Sequence, residues 1–207
     1  MEKIELKNEK LKKFLEYNLN KQINESFYIT ELNTIFNLTL INDSSNFEHN
    51  DLSDLLNFNK LKNCTIKDFI INDNSIKILN KLTELETLHF DNCTFKLSKE
   101  TLSLKLKKLI FSFCNDINLN IIKSKDTITY LRITSGNNIN LDFIENFNGL
   151  NHLILQSIII NDISFINSLK DLKELNLNGS KILKNKKYIT DLKHTINIEF
   201  NKNNLPI

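Results

Sequence analysis

The chain has 207 residues, of which 41% are hydrophobic, enough to bury a core in one domain or one continuous array. Its 27 basic residues nearly balance its 25 acidic residues, and a formal charge of +2 argues against a dedicated nucleic-acid binder. The sequence has three glycines and neither GxGxxG nor GxxxxGK[ST], which excludes the glycine-rich phosphate-binding loops.

The N-terminal stretch MEKIELKNEK is charged and lacks an apolar run of signal-peptide length, and no later run is long enough to span a bilayer. The cysteines are three in number and lack CxxC spacing: Cys64, Cys93 and Cys114. We therefore expect reduced thiols in a cytoplasmic protein that does not contact a membrane, with a non-classical secretion route left open.

The first predicted element is an amphipathic helix. Its apolar residues recur at helical spacing and form one stripe: Leu11, Phe14, Leu15 and Leu19. Residues 30–32 predict a second helix start or a turn that leads into the first strand.

The rest of the chain repeats one pattern, apolar-x-x-apolar-x-apolar-x-x-small or apolar. Eight copies are spaced 21 to 26 residues apart and begin at Ile35, Leu61, Leu85, Leu106, Ile128, Leu150, Leu172 and Thr195. The first and last copies are the least regular, as terminal units of an array usually are. One such unit cannot bury its own apolar face, so the repetition predicts stacked units that share a continuous core.

The five units between Leu85 and Ser180, from LETLHFDNC to LKELNLNGS, match LxxLxLxx(N/C) and resemble leucine-rich repeats with the spacing of bacterial internalins. The resemblance covers residues 30–203 and implies an α/β solenoid. In this arc or horseshoe, a parallel sheet lines the concave side, and short helical or 3₁₀ turns lie on the convex side. A parallel β-helix is the alternative, but its coils would hold more strands and more glycine.

The sequence departs from this family at the ninth position of the unit, where asparagine is usual. The residues there are Asp43, Phe69, Cys93, Cys114, Gly136, Ile158, Ser180 and Asn203. The geometry of the turns is therefore left open. Cys93 and Cys114 are expected to be buried thiols on adjacent strands, and a disulfide between them would need specific side-chain geometry.

A solenoid needs covered ends, because an uncovered terminal unit exposes core and strand edge. We therefore expect residues 1–34 to form an N-terminal helical cap and residues 35–207 to form the repeat array, within one continuous domain. A helix lying on a membrane is the alternative for the cap. Its mixed Glu and Lys face and its short apolar stripe favour the cap.

Strand residues alternate sides, so the third, fifth and seventh positions of each unit face outward on the concave side. The central units concentrate there two of the four histidines, a tyrosine and the only arginine. Nine residues define this central patch: Thr87, His89, Asp91, Lys108, Ile110, Tyr130, Arg132, His152 and Ile154. Tyrosine and arginine are enriched at interface hot spots, so the patch predicts a partner-binding surface.

Arg132 has two interpretations. It is either an anchor for a carboxylate of the partner or a solvated cation that is unique only through codon bias. The resemblance implies the broader function, which is a non-enzymatic module that binds another protein and has no cofactor.

Two alternatives use other features. An enzymatic site would draw on His89, Asp91 and His152, but the two histidines lie three strands apart, about 14 Å, which is too far to share a metal ion. No catalytic or metal-binding residue is therefore expected. A nucleic-acid partner would use the lysine runs at 105–108 and 184–187, but acidic residues balance them and favour solvated faces.

Overall fold

The computed structural model describes residues 2–42, 51–137, 139–192 and 197–199. The N-terminal segment contains β1 (Lys3–Ile4), α1 (Glu9–Asn18), β2 (Phe27–Tyr28) and α2 (Ile29–Leu32). β1 and β2 pair antiparallel, which no periodicity in the sequence predicts. The helix predicted near residue 30 is α2, a single turn.

The apolar face of α1 is narrower than the sequence predicts. Leu11 and Leu15 are buried at 2% and 0% exposure, whereas Phe14 is 42% exposed and Leu19 is partly buried. Leu11 and Leu15 lie one above the other on the helix, and the other two lie at the margins of that face. The helix begins at Asn8, whose Oδ1 accepts a hydrogen bond from the Leu11 N–H at 2.8 Å.

Short strands follow along the rest of the chain. They are β3 (Asn37–Ile41), β4 (Asn63–Lys67), β5 (Ile70–Asn72), β6 (Thr87–Asp91), β7 (Thr94–Lys96), β8 (Lys108–Ser112), β9 (Tyr130–Thr134), β10 (His152–Gln156), β11 (Ile159–Asp162), β12 (Glu174–Asn176), β13 (Lys181–Lys184) and β14 (Asn197–Glu199). Eight of them form one parallel sheet in sequence order: β3, β4, β6, β8, β9, β10, β12 and β14. Each predicted unit supplies one strand, as the repeat requires.

The sheet register is in phase with the repeat. Leu88, Leu109, Leu131 and Leu153 occupy the same position on consecutive strands, and each is 0% exposed. Strand residues alternate between buried and outward-facing positions, which confirms the predicted core face. Burying one such leucine contributes about 2 kcal/mol, so each unit is stabilised mainly by its neighbours.

Behind this sheet, the chain returns through short elements. Two additional parallel pairs form there, β5 with β7 and β11 with β13. The helical elements are α3 (Asp73–Leu79), α4 (Lys187–Leu192) and the 3₁₀ turns Ser53–Asn57, Leu119–Ile121, Lys125–Thr127, Ile144–Asn146 and Ser164–Ser168. A helical turn is expected after each strand, but residues 97–107 contain none. Their buried leucines alternate at Leu102, Leu104 and Leu106, a period that suits extended chain.

The eighth residue of the repeat unit has a common backbone conformation in six units. In the second to seventh units, the eighth residue has a positive φ of 48–74°: Asp68, Asn92, Phe113, Ser135, Ser157 and Gly179. This left-handed residue turns the chain out of the sheet immediately after the seventh position.

At three ninth positions, a cysteine or serine side chain supplies a hydrogen-bond donor where asparagine is usual. Cys93 Sγ donates to the Ile66 carbonyl at 3.3 Å, and Cys114 Sγ donates to the Phe90 carbonyl at 3.3 Å. Ser180 Oγ donates in the same way to Leu155 at 2.8 Å. In all three cases the acceptor is the sixth residue of the preceding unit, so the turn is tied to the neighbouring strand. Asp43 and Asn203 lie outside the described residues.

The N-terminal segment is attached to the array through Asp54, which is 4% exposed. Its carboxylate accepts hydrogen bonds from the Lys7 N–H at 3.0 Å and the Asn8 N–H at 2.7 Å. The Asn8 amide donates in turn to the Ile41 carbonyl of β3 at 2.9 Å. These bonds place the segment against the first strand, and the division into cap and array at residue 34 stays a prediction.

Leu153→Ala tests the placement of the core. We expect the free energy of unfolding to fall by about 2–5 kcal/mol, because burial is lost and a cavity is left between strands. Ile159→Ala is the matched control, since Ile159 is 63% exposed. Chemical denaturation gives both values. A loss of less than half the lower limit of that range for Leu153→Ala would contradict the register.

Candidate functional site

The structure brings the nine residues of the central patch together on four neighbouring strands, β6, β8, β9 and β10. The third positions form one row: Thr87, Lys108, Tyr130 and His152. The fifth positions form a second row: His89, Ile110, Arg132 and Ile154. Asp91 lies in the adjacent row beside Ser112. All nine side chains are half-buried or exposed on the face away from the core, as predicted.

The row of third positions combines a cation with aromatic rings. Lys108 Nζ lies 5.8 Å from the centroid of the Tyr130 ring, and the Tyr130 and His152 rings are 6.1 Å apart. His152 Nε2 is 3.6 Å from Glu174 Oε2, a contact that becomes an ion pair when the imidazole is protonated. This row therefore presents both charged groups and aromatic rings.

Arg132 is oriented by a chain of hydrogen bonds that crosses four strands. Its Nε donates to Thr134 Oγ1 at 3.0 Å and its Nη2 donates to Gln156 Oε1 at 3.3 Å. Gln156 Nε2 donates to Asn176 Oδ1 at 3.1 Å, and the Asn176 amide donates to a carboxylate oxygen of Glu199. The guanidinium is thereby directed toward the carboxyl ends of the strands.

The hydrogen bonds of Arg132 go to seventh-position residues that lie outside the nine predicted ones. Thr134 and Gln156 are polar, and their outward direction follows from the repeat. Their contact with Arg132 depends on rotamers, for which the sequence carries no signal. Within the described ranges, no carboxylate lies at salt-bridge distance from the Arg132 guanidinium.

His89 lies in a partly desolvated position two strands from Arg132, in the same row. Its Nε2 is 3.0 Å from Ser112 Oγ. Burial lowers the pKa of His89 from its ordinary value of 6.5, and the charges of Arg132 and Lys67 lower it further, while Asp91 acts in the opposite direction. Lys67 Nζ in turn pairs with Asp91 Oδ2 at 2.7 Å. The imidazole is therefore neutral near pH 7 and can serve as a hydrogen-bonding group.

The two histidines of the patch do not form a joint site, because His89 is on β6 and His152 is on β10, three strands away. No cluster of three His, Cys, Asp or Glu residues suited to a metal ion occurs in the described part of the chain. Across those same ranges, every helix is too short or too polar to cross a membrane.

The three cysteines are buried and free. Burial raises the pKa of the Cys64 thiol to about 12, so this thiol stays protonated at neutral pH. The cysteines take part in packing and in the turns and do not reach the outward face.

One strand per repeat, stacked in parallel and closed by the same turn, defines a leucine-rich repeat solenoid, and this fold is the one that the sequence pattern predicts. Internalin C2 from Listeria monocytogenes str. 4b F2365 has a similar structure. Its TM-score is 0.58 at 19% identity, and the match covers 92% of each chain. Internalin F from the same strain also has a TM-score of 0.58, at 16% identity, and covers 90% of this chain and 60% of its own. No protein-family model and no curated protein matches the sequence.

The pKa of His89 leads to a pH prediction. The folded-state pKa is lower than the unfolded value of 6.5, so the unfolded chain binds more protons as the solution is acidified. The stability from the neutral imidazole is present above pH 6.5 and is lost as the pH falls through the folded-state value. We therefore expect His89→Gln to lose less Tm than the wild type between pH 7.5 and pH 5.

Thr65→Ser controls for substitution in this row, because Thr65 pairs with His89 across the sheet and does not titrate. Thermal melts at several pH values give the comparison. Identical pH profiles for wild type and His89→Gln would show that this histidine does not carry the effect.

Proposed function

We propose that the protein is a non-enzymatic binding module that holds a protein partner on the concave face, with Arg132 at the centre of the contact. The observation that carries this proposal is that the Arg132 guanidinium is oriented by hydrogen bonds and has no carboxylate partner among the described residues. Thr134 and Gln156 hold it in one orientation, and the described chain supplies no carboxylate to neutralise it. A partner that brings a carboxylate supplies the missing charge.

The surroundings of Arg132 favour such a contact. A guanidinium presents a planar fork of donors that matches a carboxylate, and the bonds to Thr134 and Gln156 reduce the entropy that binding would cost. Ile110 and Ile154 flank Arg132 in the same row. Apolar neighbours exclude water when a partner covers them, which strengthens the charged hydrogen bonds between the two molecules.

The row of third positions extends this surface. Tyr130 and His152 present ring faces next to Lys108, so a partner meets both apolar area and hydrogen-bonding groups. Rigid aromatic side chains lose little conformational entropy on binding. This composition is typical of protein interfaces and supports a protein partner.

A nucleic-acid partner receives less support from the face. Lys67 is paired with Asp91, and the row that contains Lys108 also contains Glu174. Asp91 occupies the Lys67 cation and Glu174 repels a phosphate backbone, whose binding depends on neutralisation by cations.

An enzymatic function would use the contact between His89 and Ser112, which has the 3.0 Å length of a base and nucleophile pair. Among the described residues, no carboxylate is hydrogen-bonded to the second imidazole nitrogen of His89, which is the third member that such a pair needs. Binding is thus the function that the geometry supports best. The cytoplasmic location stays a prediction.

Affinity capture from the source cell, with wild-type protein and Arg132→Ala in parallel, tests the proposed function. We expect a protein that only the wild type retains. In calorimetric titrations with that protein, Arg132→Ala should weaken binding by about 2 kcal/mol or more, and Arg132→Lys should lose much of the same affinity because lysine lacks the planar fork.

The matched control is Lys173→Ala, which removes an exposed cation adjacent to the sheet face. It should bind as the wild type does, and Arg132→Ala should melt at nearly the wild-type temperature. Wild-type affinity in Arg132→Ala would show that Arg132 is an ordinary solvated cation.

A further inference from the structure

Phe113 is an unusual residue at the turn that ends β8. Its φ is 55°, in the left-handed region, and its side chain is 58% exposed. A bulky residue is disfavoured in this region, because its Cβ crowds the backbone. The equivalent residues in the other units are small or polar: Asp68, Asn92, Ser135, Ser157 and Gly179.

Core packing does not account for this phenylalanine. The nearby rings of Phe90, Phe95 and Phe111 form a buried cluster with centroid distances of 5.0–5.6 Å. Within the described part of the chain, the Phe113 ring pairs with no other aromatic ring and has no cation over it. The turn would form more readily with a small residue, and the exposed ring is the feature that remains to be explained.

The position of Phe113 links it to Arg132 through Thr134. The Phe113 N–H donates to the Thr134 carbonyl at 2.8 Å, and the Thr134 hydroxyl accepts from Arg132 Nε at 3.0 Å. Arg132 is therefore directed toward the carboxyl ends of the strands, where Phe113 also lies. Strand spacing places the two Cα atoms about 11 Å apart, one strand and three residues from each other.

We propose that Phe113 and Arg132 together form a two-point site for an extended protein segment. Arg132 binds a carboxylate of that segment, and Phe113 packs against a large apolar side chain about two or three residues away from it. This inference rests on the proposed function and names the chemistry of the partner.

The charges around the pair select a peptide over a nucleic acid. Asp91 lies on the strand before Ser112, directly next to the turn of Phe113. A base could stack on Phe113, but its phosphates would then meet the Asp91 carboxylate. A peptide offers one carboxylate to Arg132 and apolar area to the ring, without a continuous run of negative charge.

Selection of displayed short random peptides on the full 207-residue chain tests the site. We expect the enriched peptides to share an acidic residue spaced two or three positions, roughly 7–10 Å, from Leu, Ile, Met or Phe. Calorimetry with these peptides should show that Phe113→Asn and Arg132→Gln each reduce affinity about tenfold or more.

Phe36→Asn is the matched control, since Phe36 is 47% exposed and lies on the first unit, away from the patch. It should keep the wild-type affinity. Phe113→Asn should melt at the wild-type temperature or above it, because asparagine tolerates a positive φ. A marked fall in Tm would make Phe113 a structural residue and overturn the inference.

The remaining outcomes separate the two proposals. Peptides that depend on Arg132 but not on Phe113 would overturn the two-point site and leave the proposed function standing. Peptides that depend on neither residue, or a selection without enrichment, would count against both. Binding of single-stranded oligonucleotides that requires Phe113, without any Phe113-dependent peptide, would overturn the protein partner.

Discussion

The left-handed residue at the eighth position of the repeat unit is the constraint on which the rest of the structure depends. It ends the strand at the same position in five consecutive units, from Asp68 to Ser157, and Gly179 has the same conformation at the eighth position of the next unit. The ninth residue then lies close to the unit before it: a Cβ on Gly136 would meet the Cys114 carbonyl oxygen at 2.1 Å. Equal strand ends give equal register, and equal register aligns the outward side chains in rows. The surface is therefore a consequence of the turn.

The rows explain how an isolated arginine becomes part of an extended polar network. Arg132 in the fifth row reaches diagonally to Gln156 in the seventh row of the adjacent strand, and Gln156 reaches diagonally to Asn176 in the fifth row of the strand after it. A shift of one residue on β10 would point Gln156 into the core and break the chain. The same alignment lets the Phe113 N–H donate to the Thr134 carbonyl, so the turn after β8 contacts the strand that carries Arg132.

Periodicity predicts those parts of the fold that repeat. The burial of Leu131 and Leu153 and the four strands that carry the central patch follow from apolar spacing alone. The pairing of β1 with β2 involves two residues on each strand, which is too short for any pattern. The bond from Asp54 to Asn8 spans 46 residues and depends on tertiary contact. Similarly, rotamers decide the contacts of Arg132, and Phe113 occupies a position that the repeat pattern leaves unspecified.

Hydroxyl-radical footprinting of the protein with and without its bound partner, read by mass spectrometry, tests the central claim most directly. If the aligned rows form the binding surface, oxidation of Tyr130, His89 and His152 should fall together in the complex. Tyr17, which is 84% exposed on α1, should oxidise at an unchanged rate. Protection of Tyr17 with no protection of Tyr130 and the two histidines would place the partner elsewhere and contradict the account.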